Sequence, residues 1–214
     1  MSNELSRVRT KLNQYFTEKL EQFGATAKGV DYSGELAQQT RFAELAKIIT
    51  NPAERFSVLD YGCGYGALFD FLNAYGWRFD YYGVDLIEEM IVAAKETHRQ
   101  FPDMTLTTDE KEIPTVDYLM AGSIFNNKLD VPAADWCGFV VKSLHHMNSL
   151  CLKGFSFNML SAYSDQDRME QRPDLFFGDP LFFFDLCKRS FSRNVALLHD
   201  YGLYDFTILV RKGL

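Results

Sequence analysis

Two acids and three glycines carry the chemistry for which this sequence can be read. Asp60 closes a short apolar run, Ser57-Val58-Leu59, and Gly62, Gly64 and Gly66 follow at alternate positions. Asp85 closes a second run, Tyr81-Tyr82-Gly83-Val84, 23 residues after Gly62. Glycine accepts a positive φ, and its missing side chain lets a ligand lie against the backbone. A helix starting at Ala67-Leu68-Phe69 points its free N–H groups and the positive end of its dipole into the same turn. Strand, glycine turn and helix N-terminus together make a cradle for a nucleotide-type ligand. An acid about 20 residues further on is placed to accept hydrogen bonds from ribose hydroxyls. That is one reading of Asp85; the other is a cap for the helix at Ile87-Glu88-Glu89, and two carboxylate oxygens allow both.

The kind of nucleotide follows from charge. Gly62, Gly64 and Ala67 fit the dinucleotide fingerprint. That ligand lays a pyrophosphate on the turn, where Asp60 would repel it. A phosphate-free, positively charged adenosyl ligand is welcomed by the same acid. Other polar groups stand where such a ligand could use them. Tyr32 and Arg41 read either as packing and solvated residues or as contacts at an amino-acid end, with Arg41 pairing a carboxylate. Asp109 reads either as a loop carboxylate or as a partner for the adenine amine.

The elements that must position these groups alternate in type. Apolar spacing predicts a helix through Leu5, Val8, Leu12 and Leu20 to Phe23, stopped by Gly24, and another from about Gly34 to Thr50. Strands and helices then alternate from the glycine turn onward. Helices are expected over Ala67–Tyr75, Glu88–Phe101 and Ala134–Leu150, and strands over Asp80–Leu86, Met104–Thr108, Val116–Ala121 and Gly154–Leu160. Ser161–Pro173 is polar and reads as a lid or as a solvated loop. Asp179-Pro180 starts an aromatic helix. Asn194–His199 and Asp205–Arg211, joined through Gly202 without a crossover helix, predict an antiparallel hairpin.

Composition narrows the class further. A chain of 214 residues with 47% hydrophobic and 15% aromatic content makes one well-cored domain over 1–214, with a helical cap at 1–52 and a core at 56–212. A net charge of −7 and the lack of a Lys/Arg run argue against nucleic acid as the partner. Cys63, Cys137, Cys151 and Cys187 are scattered without a C-x-x-C pair, which predicts reduced thiols, no metal site and a cytoplasmic protein. No apolar run approaches the length of a membrane span. His145 and His146 project about 100° apart on their helix, so they cannot serve one site together.

Val58-Leu59-Asp60-Tyr61-Gly62-Cys63-Gly64-Tyr65-Gly66, Tyr82-Gly83-Val84-Asp85 and the terminal hairpin together resemble the class I S-adenosylmethionine-dependent methyltransferases over about Phe56–Arg211. The resemblance implies a Rossmann-like α/β fold: a seven-stranded, mostly parallel sheet in the order 3-2-1-4-5-7-6, with helices on both faces. It implies S-adenosylmethionine as cofactor. Asp60, Gly62, Cys63, Gly64 and Gly66 would cradle its methionine and ribose part, and Asp85 would hold the ribose hydroxyls. Leu86 would lie against the adenine, Asp109 near the adenine amine, and Ser123 close to the sulfonium. Ser123 to Asn126, beyond the fourth strand, should border methyl transfer, with Asn126, Tyr32 and Tyr163 as substrate contacts. No Asn/Asp-Pro-Pro-Tyr motif follows that strand, which argues against exocyclic amino methylation of nucleic acid or protein.

The expected activity is methyl transfer to an oxygen or nitrogen of a small molecule. Tyr32, His146, Tyr163 and His199 are the candidates for a base, and the sequence ranks none of them. A cofactor-binding module without catalysis is the alternative, and a nicotinamide-dependent oxidoreductase a weaker one.

Overall fold

Seven strands form one sheet in the order β3-β2-β1-β4-β5-β7-β6. The computed structural model describes residues 2–213, with side chains from residue 8 onward, so the expected packing of Leu5 lies outside the described side chains. The strands are β1 (Phe56–Tyr61), β2 (Phe79–Val84), β3 (Thr105–Thr107), β4 (Val116–Ala121), β5 (Cys151–Leu160), β6 (Asn194–Leu198) and β7 (Asp205–Arg211). The helices are α1 (Ser2–Phe23), α2 (Glu35–Ala46), α3 (Ala67–Ala74), α4 (Glu88–Thr97), α5 (Ala133–Ser149), α6 (Gln166–Gln171) and α7 (Pro180–Ser190). Sheet order and the antiparallel placement of β7 match the expectation from the family resemblance.

The chain groups into two compact units, one of residues up to Phe42 with Asn51–Pro114, the other of Ala43–Thr50 with the chain from Thr115. In the first, β1, β2 and β3 run parallel, with Asp60 beside Gly83 and Val84 beside Thr107. Val58 and Leu59 are fully buried. The ring of Phe69 on α3 meets Phe79, Tyr81, His98 and Phe101 at centroid distances of 4.7–5.7 Å. Gly24 ends α1 at φ +67°, its N–H bonding to Leu20 O at 2.7 Å. Beyond it, a 3₁₀ turn at Lys28–Val30 packs back on α1. Helix α4 ends earlier than expected because His98 leaves helical dihedrals (φ −111°, ψ 24°), and Phe101 N then bonds to His98 O.

In the second unit β4 and β5 are parallel, and β7 lies antiparallel to both β5 and β6. Phe155, Phe157, Phe183 and Phe206 are buried to 1% exposure or less. Asp179 caps α7 by accepting from Leu181 N and Phe182 N, with Pro180 in the first turn. Several boundaries differ from the sequence reading. Strand β5 begins at Cys151, because that residue pairs with Val116 across the sheet. The polar stretch at 161–173 contains the short helix α6. Helix α2, which reaches into this unit, stops at Ala46. The chain there tightens into bonds from Ile48 N to Leu45 O and from Ile49 N to Ala46 O, ahead of Pro52.

Candidate functional site

Strand β1 delivers the chain into Gly62, Gly64 and Gly66, whose φ values are +81°, +53° and +89°. Side chains rarely adopt such angles, which is why the turn needs this residue type. Gly66 is the N-cap of α3 and offers no side chain to the helix's first N–H groups. The turn is tied down from β2. Asp85 Oδ2 accepts from Gly64 N at 2.8 Å, and its Oδ1 accepts from Ile87 N at 3.0 Å. Each oxygen keeps a lone pair, so both bonds leave the carboxylate able to accept from ribose hydroxyls. The helix cap itself is Ile87 rather than Asp85. Next to Asp85, Leu86 is 53% exposed and presents an apolar surface.

Asp60 sits beneath the turn rather than on its rim. It is 5% exposed, and its Oδ2 accepts from the Tyr81 hydroxyl at 2.6 Å. Burial pushes its carboxyl up to about 7, against the pull of the Tyr81 bond, with the nearby Asp85 adding to the rise. Burial raises Asp85 as well, and backbone N–H donors from Gly64, Ile87 and Leu86 oppose it. Cys63 is buried, its Sγ 3.6 Å from Gly64 O, and burial followed by the two acids keeps it a thiol rather than a nucleophilic thiolate.

The N-terminal segment reaches the same turn. Val30 Cγ1 lies 2.9 Å from where a Cβ on Gly64 would stand, and Tyr65 donates to Gln38 Oε1 at 3.1 Å. Tyr32 and Arg41 come together, the guanidinium 5.3 Å over the ring. Arg41 also donates to Ala37 O at 2.9 Å. Asp109 is exposed and accepts from Lys111 N at 3.0 Å, holding the short turn after β3.

The second unit holds the other expected residues. Ser123 has φ +60° and is fixed by Asn158, whose Oδ1 accepts from Ser123 N at 2.7 Å and from its hydroxyl at 3.2 Å. Asn126 Oδ1 accepts from Leu160 N at 3.0 Å, and Trp136 Nε1 donates to Phe125 O at 2.8 Å. Bonds to β5 and α5 therefore brace the whole turn after β4. Tyr163 is 65% exposed, with the His199 ring 5.9 Å away, so two of the base candidates are neighbours. His146 lies in the last turn of α5.

Sequence reading missed three supports: Tyr81 under Asp60, Asn158 behind Ser123, and His98 behind Gly66. Tyr81 carried a signal, since it stands one residue before the expected Tyr82-Gly83-Val84-Asp85 motif. Asn158 and His98 meet their partners only through long-range packing.

These groups suit an adenosyl ligand: a carboxylate with spare acceptor capacity, an adjoining exposed leucine, and a glycine turn without side chains. Comparison with known proteins agrees. Residues 59–122 match the model of a methyltransferase domain. The chain is 46% identical over 165 residues to the Mycobacterium tuberculosis protein named Putative methyltransferase Rv1506c, covering 77% of this chain and 98% of that one. Magnesium protoporphyrin IX methyltransferase from Synechocystis PCC 6803, solved with S-adenosylhomocysteine, superposes with a TM-score of 0.60 at 14% identity, covering 97% of this chain and 99% of that one. The CurJ carbon methyltransferase superposes with a TM-score of 0.55 at 13% identity, covering 77% of this chain and 50% of that one. The chain belongs to the class I S-adenosylmethionine-dependent methyltransferases. It is an enzyme whose cofactor is S-adenosylmethionine.

Proposed function

We propose that this enzyme methylates an oxygen or nitrogen of a small-molecule acceptor, with the cofactor's adenosyl end held on the glycine turn. When bound, the cofactor supplies an activated methyl group on a sulfonium, so the protein's work is mainly alignment and exclusion of water. Asp85 holds the ribose, Leu86 covers the adenine, and Arg41 pairs the cofactor's carboxylate. Asp109 stands at the adenine end. Asp60 supports the turn from below and contributes charge rather than contact. Tyr163 and Asn126 are the acceptor-binding candidates of the second unit.

The observation that carries the acceptor assignment is the exposed pair of Tyr163 and His199, 5.9 Å apart. An aromatic surface beside an imidazole suits a protic acceptor, because a hydroxyl or amine must lose a proton during transfer. The net charge of −7 supports a small acceptor over a nucleic-acid backbone. The test is mass spectrometry of a metabolite extract incubated with the enzyme and methyl-labelled cofactor. A labelled small molecule that forms with the native enzyme, and much more slowly with His199→Ala, is the expected result. Label fixed on carbon would overturn the choice of atom. Cofactor binding without any labelled product would favour a binding module instead.

A further inference from the structure

His98 stands at the end of α4 with its ring buried to 3% exposure, directly behind the glycine turn. A Cβ built on Gly66 would lie 2.8 Å from His98 Cε1 and 3.1 Å from Nδ1, so the ring is the wall against which this turn is laid. Both ring nitrogens face acceptors. Nδ1 is 2.9 Å from the Ala94 carbonyl oxygen, and Nε2 is 3.1 Å from Asp70 Oδ1 on α3. The second approach is short but oblique, so its attraction is one of charge more than of a well-aligned hydrogen bond. A carbonyl cannot donate, so Nδ1 must carry a proton. A neutral ring would then leave the Nε2 lone pair beside a carboxylate oxygen 3.1 Å away, with no charge to attract it. The arrangement favours the imidazolium.

We propose that His98 is a positioning residue for the cofactor: as an imidazolium it clamps the start of α3 to the end of α4 and holds the Gly66 turn in its binding shape, so that cofactor affinity falls when the ring loses its proton. The proposal rests on the reading of the glycine turn as the adenosyl cradle. It adds a residue that is no part of the turn and touches no ligand. The Asp70 and Ala94 bonds raise His98 above its ordinary value even though burial, the largest single influence, pulls it down. Asp70 is the charged group that bears on the ring from α3, while Phe69 and Phe101 surround it without charge. On α4 Lys95 and Glu96 are exposed, as is Arg99 just beyond it. From α1, which packs on α4, no charged group among the described residues bears on it. Tyr81 and Asp60 stand beyond the Phe69 ring.

Two opposite pH effects then act on one turn. Deprotonation of Asp60 strengthens the hold on a cation as pH rises, whereas deprotonation of His98 loosens the turn. Affinity for S-adenosylhomocysteine, measured by calorimetry from about pH 6 to about pH 9, should therefore pass through a maximum and fall roughly tenfold on its alkaline side. Asp70→Asn changes a half-exposed residue and removes the charge that favours the imidazolium, so the alkaline fall should move to lower pH. His98→Gln should bind several-fold more weakly near pH 6 and lose the alkaline fall beyond what the ligand's own amine produces. Nitrogen NMR shifts of the His98 ring at about pH 7 should be those of a doubly protonated imidazole, a reading independent of binding and of whether His98→Gln folds. Neutral-ring shifts, or an alkaline limb that stays in place in Asp70→Asn, would sink the role of His98 while leaving the cradle intact. A native protein that ignores the ligand at every pH would instead bring down the cradle and this proposal together.

Discussion

A buried carboxyl beside a tyrosine hydroxyl sets a definite pH dependence on the free protein. Asp60 is raised from the ordinary 3.8 to about 7, chiefly by burial. Between those values the unfolded chain gives up a proton that the folded chain keeps. The contribution of Asp60 to stability is therefore fullest below about pH 4, declines as pH rises through the window, and levels off above about pH 7. Asp60→Asn keeps an oxygen for the Tyr81 donor and cannot ionise. At about pH 8 it should be more stable than the native enzyme by about 1–3 kcal/mol, and the advantage should vanish near pH 4. Denaturant unfolding at the two pH values measures it, and equal stabilities at pH 8 would show Asp60 to be ionised without cost.

The turn between β1 and α3 works as an element because nothing can be added to it. Gly66→Ala would place a methyl 2.8 Å from the buried His98 ring, which is tied to Ala94 O through Nδ1 and faces Asp70 through Nε2, at a backbone φ of +89°. Gly76, at the end of α3, has a similar φ of +68° but open space around it. Gly76→Ala should therefore cost only backbone strain, about 1 kcal/mol, and leave cofactor binding unchanged. Gly66→Ala should cost about 1–3 kcal/mol more and abolish measurable binding of S-adenosylhomocysteine. Unfolding curves and calorimetric titration of the two variants separate strain from crowding. Equal behaviour would mean that the wall behind Gly66 yields.

For the molecule as a whole, cofactor binding should appear as stability. A ligand that binds only the folded chain adds about 2.7 kcal/mol at a hundred times its dissociation constant, a rise of roughly 5–11 °C in the melting temperature for a chain of this size. S-adenosylhomocysteine should give that rise with the native enzyme. Asp85→Ala, which removes the proposed ribose acceptor and the tie to Gly64 N, should lose most of it at the same ligand concentration. A full rise in Asp85→Ala would take the ribose away from Asp85. Among the described residues no helix is long and apolar enough to cross a membrane.

Local rules carried much of this protein in the sequence itself. Alternating periodicity, the three glycines and the two strand-ending acids located β1, α3 and β2, and two consecutive terminal strands implied the antiparallel β7, because each of those features is a property of neighbouring residues. Asp85 was legible for the same reason: a fixed spacing along the chain becomes a fixed place at the end of a parallel strand. Tertiary packing alone decided that Asp60 lies under the turn with Tyr81, that Asn158 pins Ser123, and that His98 backs Gly66 with Asp70 as its counter-charge. Those pairings join residues 21 to 35 positions apart along the chain. Burial and charge at such contacts depend on which surfaces meet, and no local pattern of residue types records that.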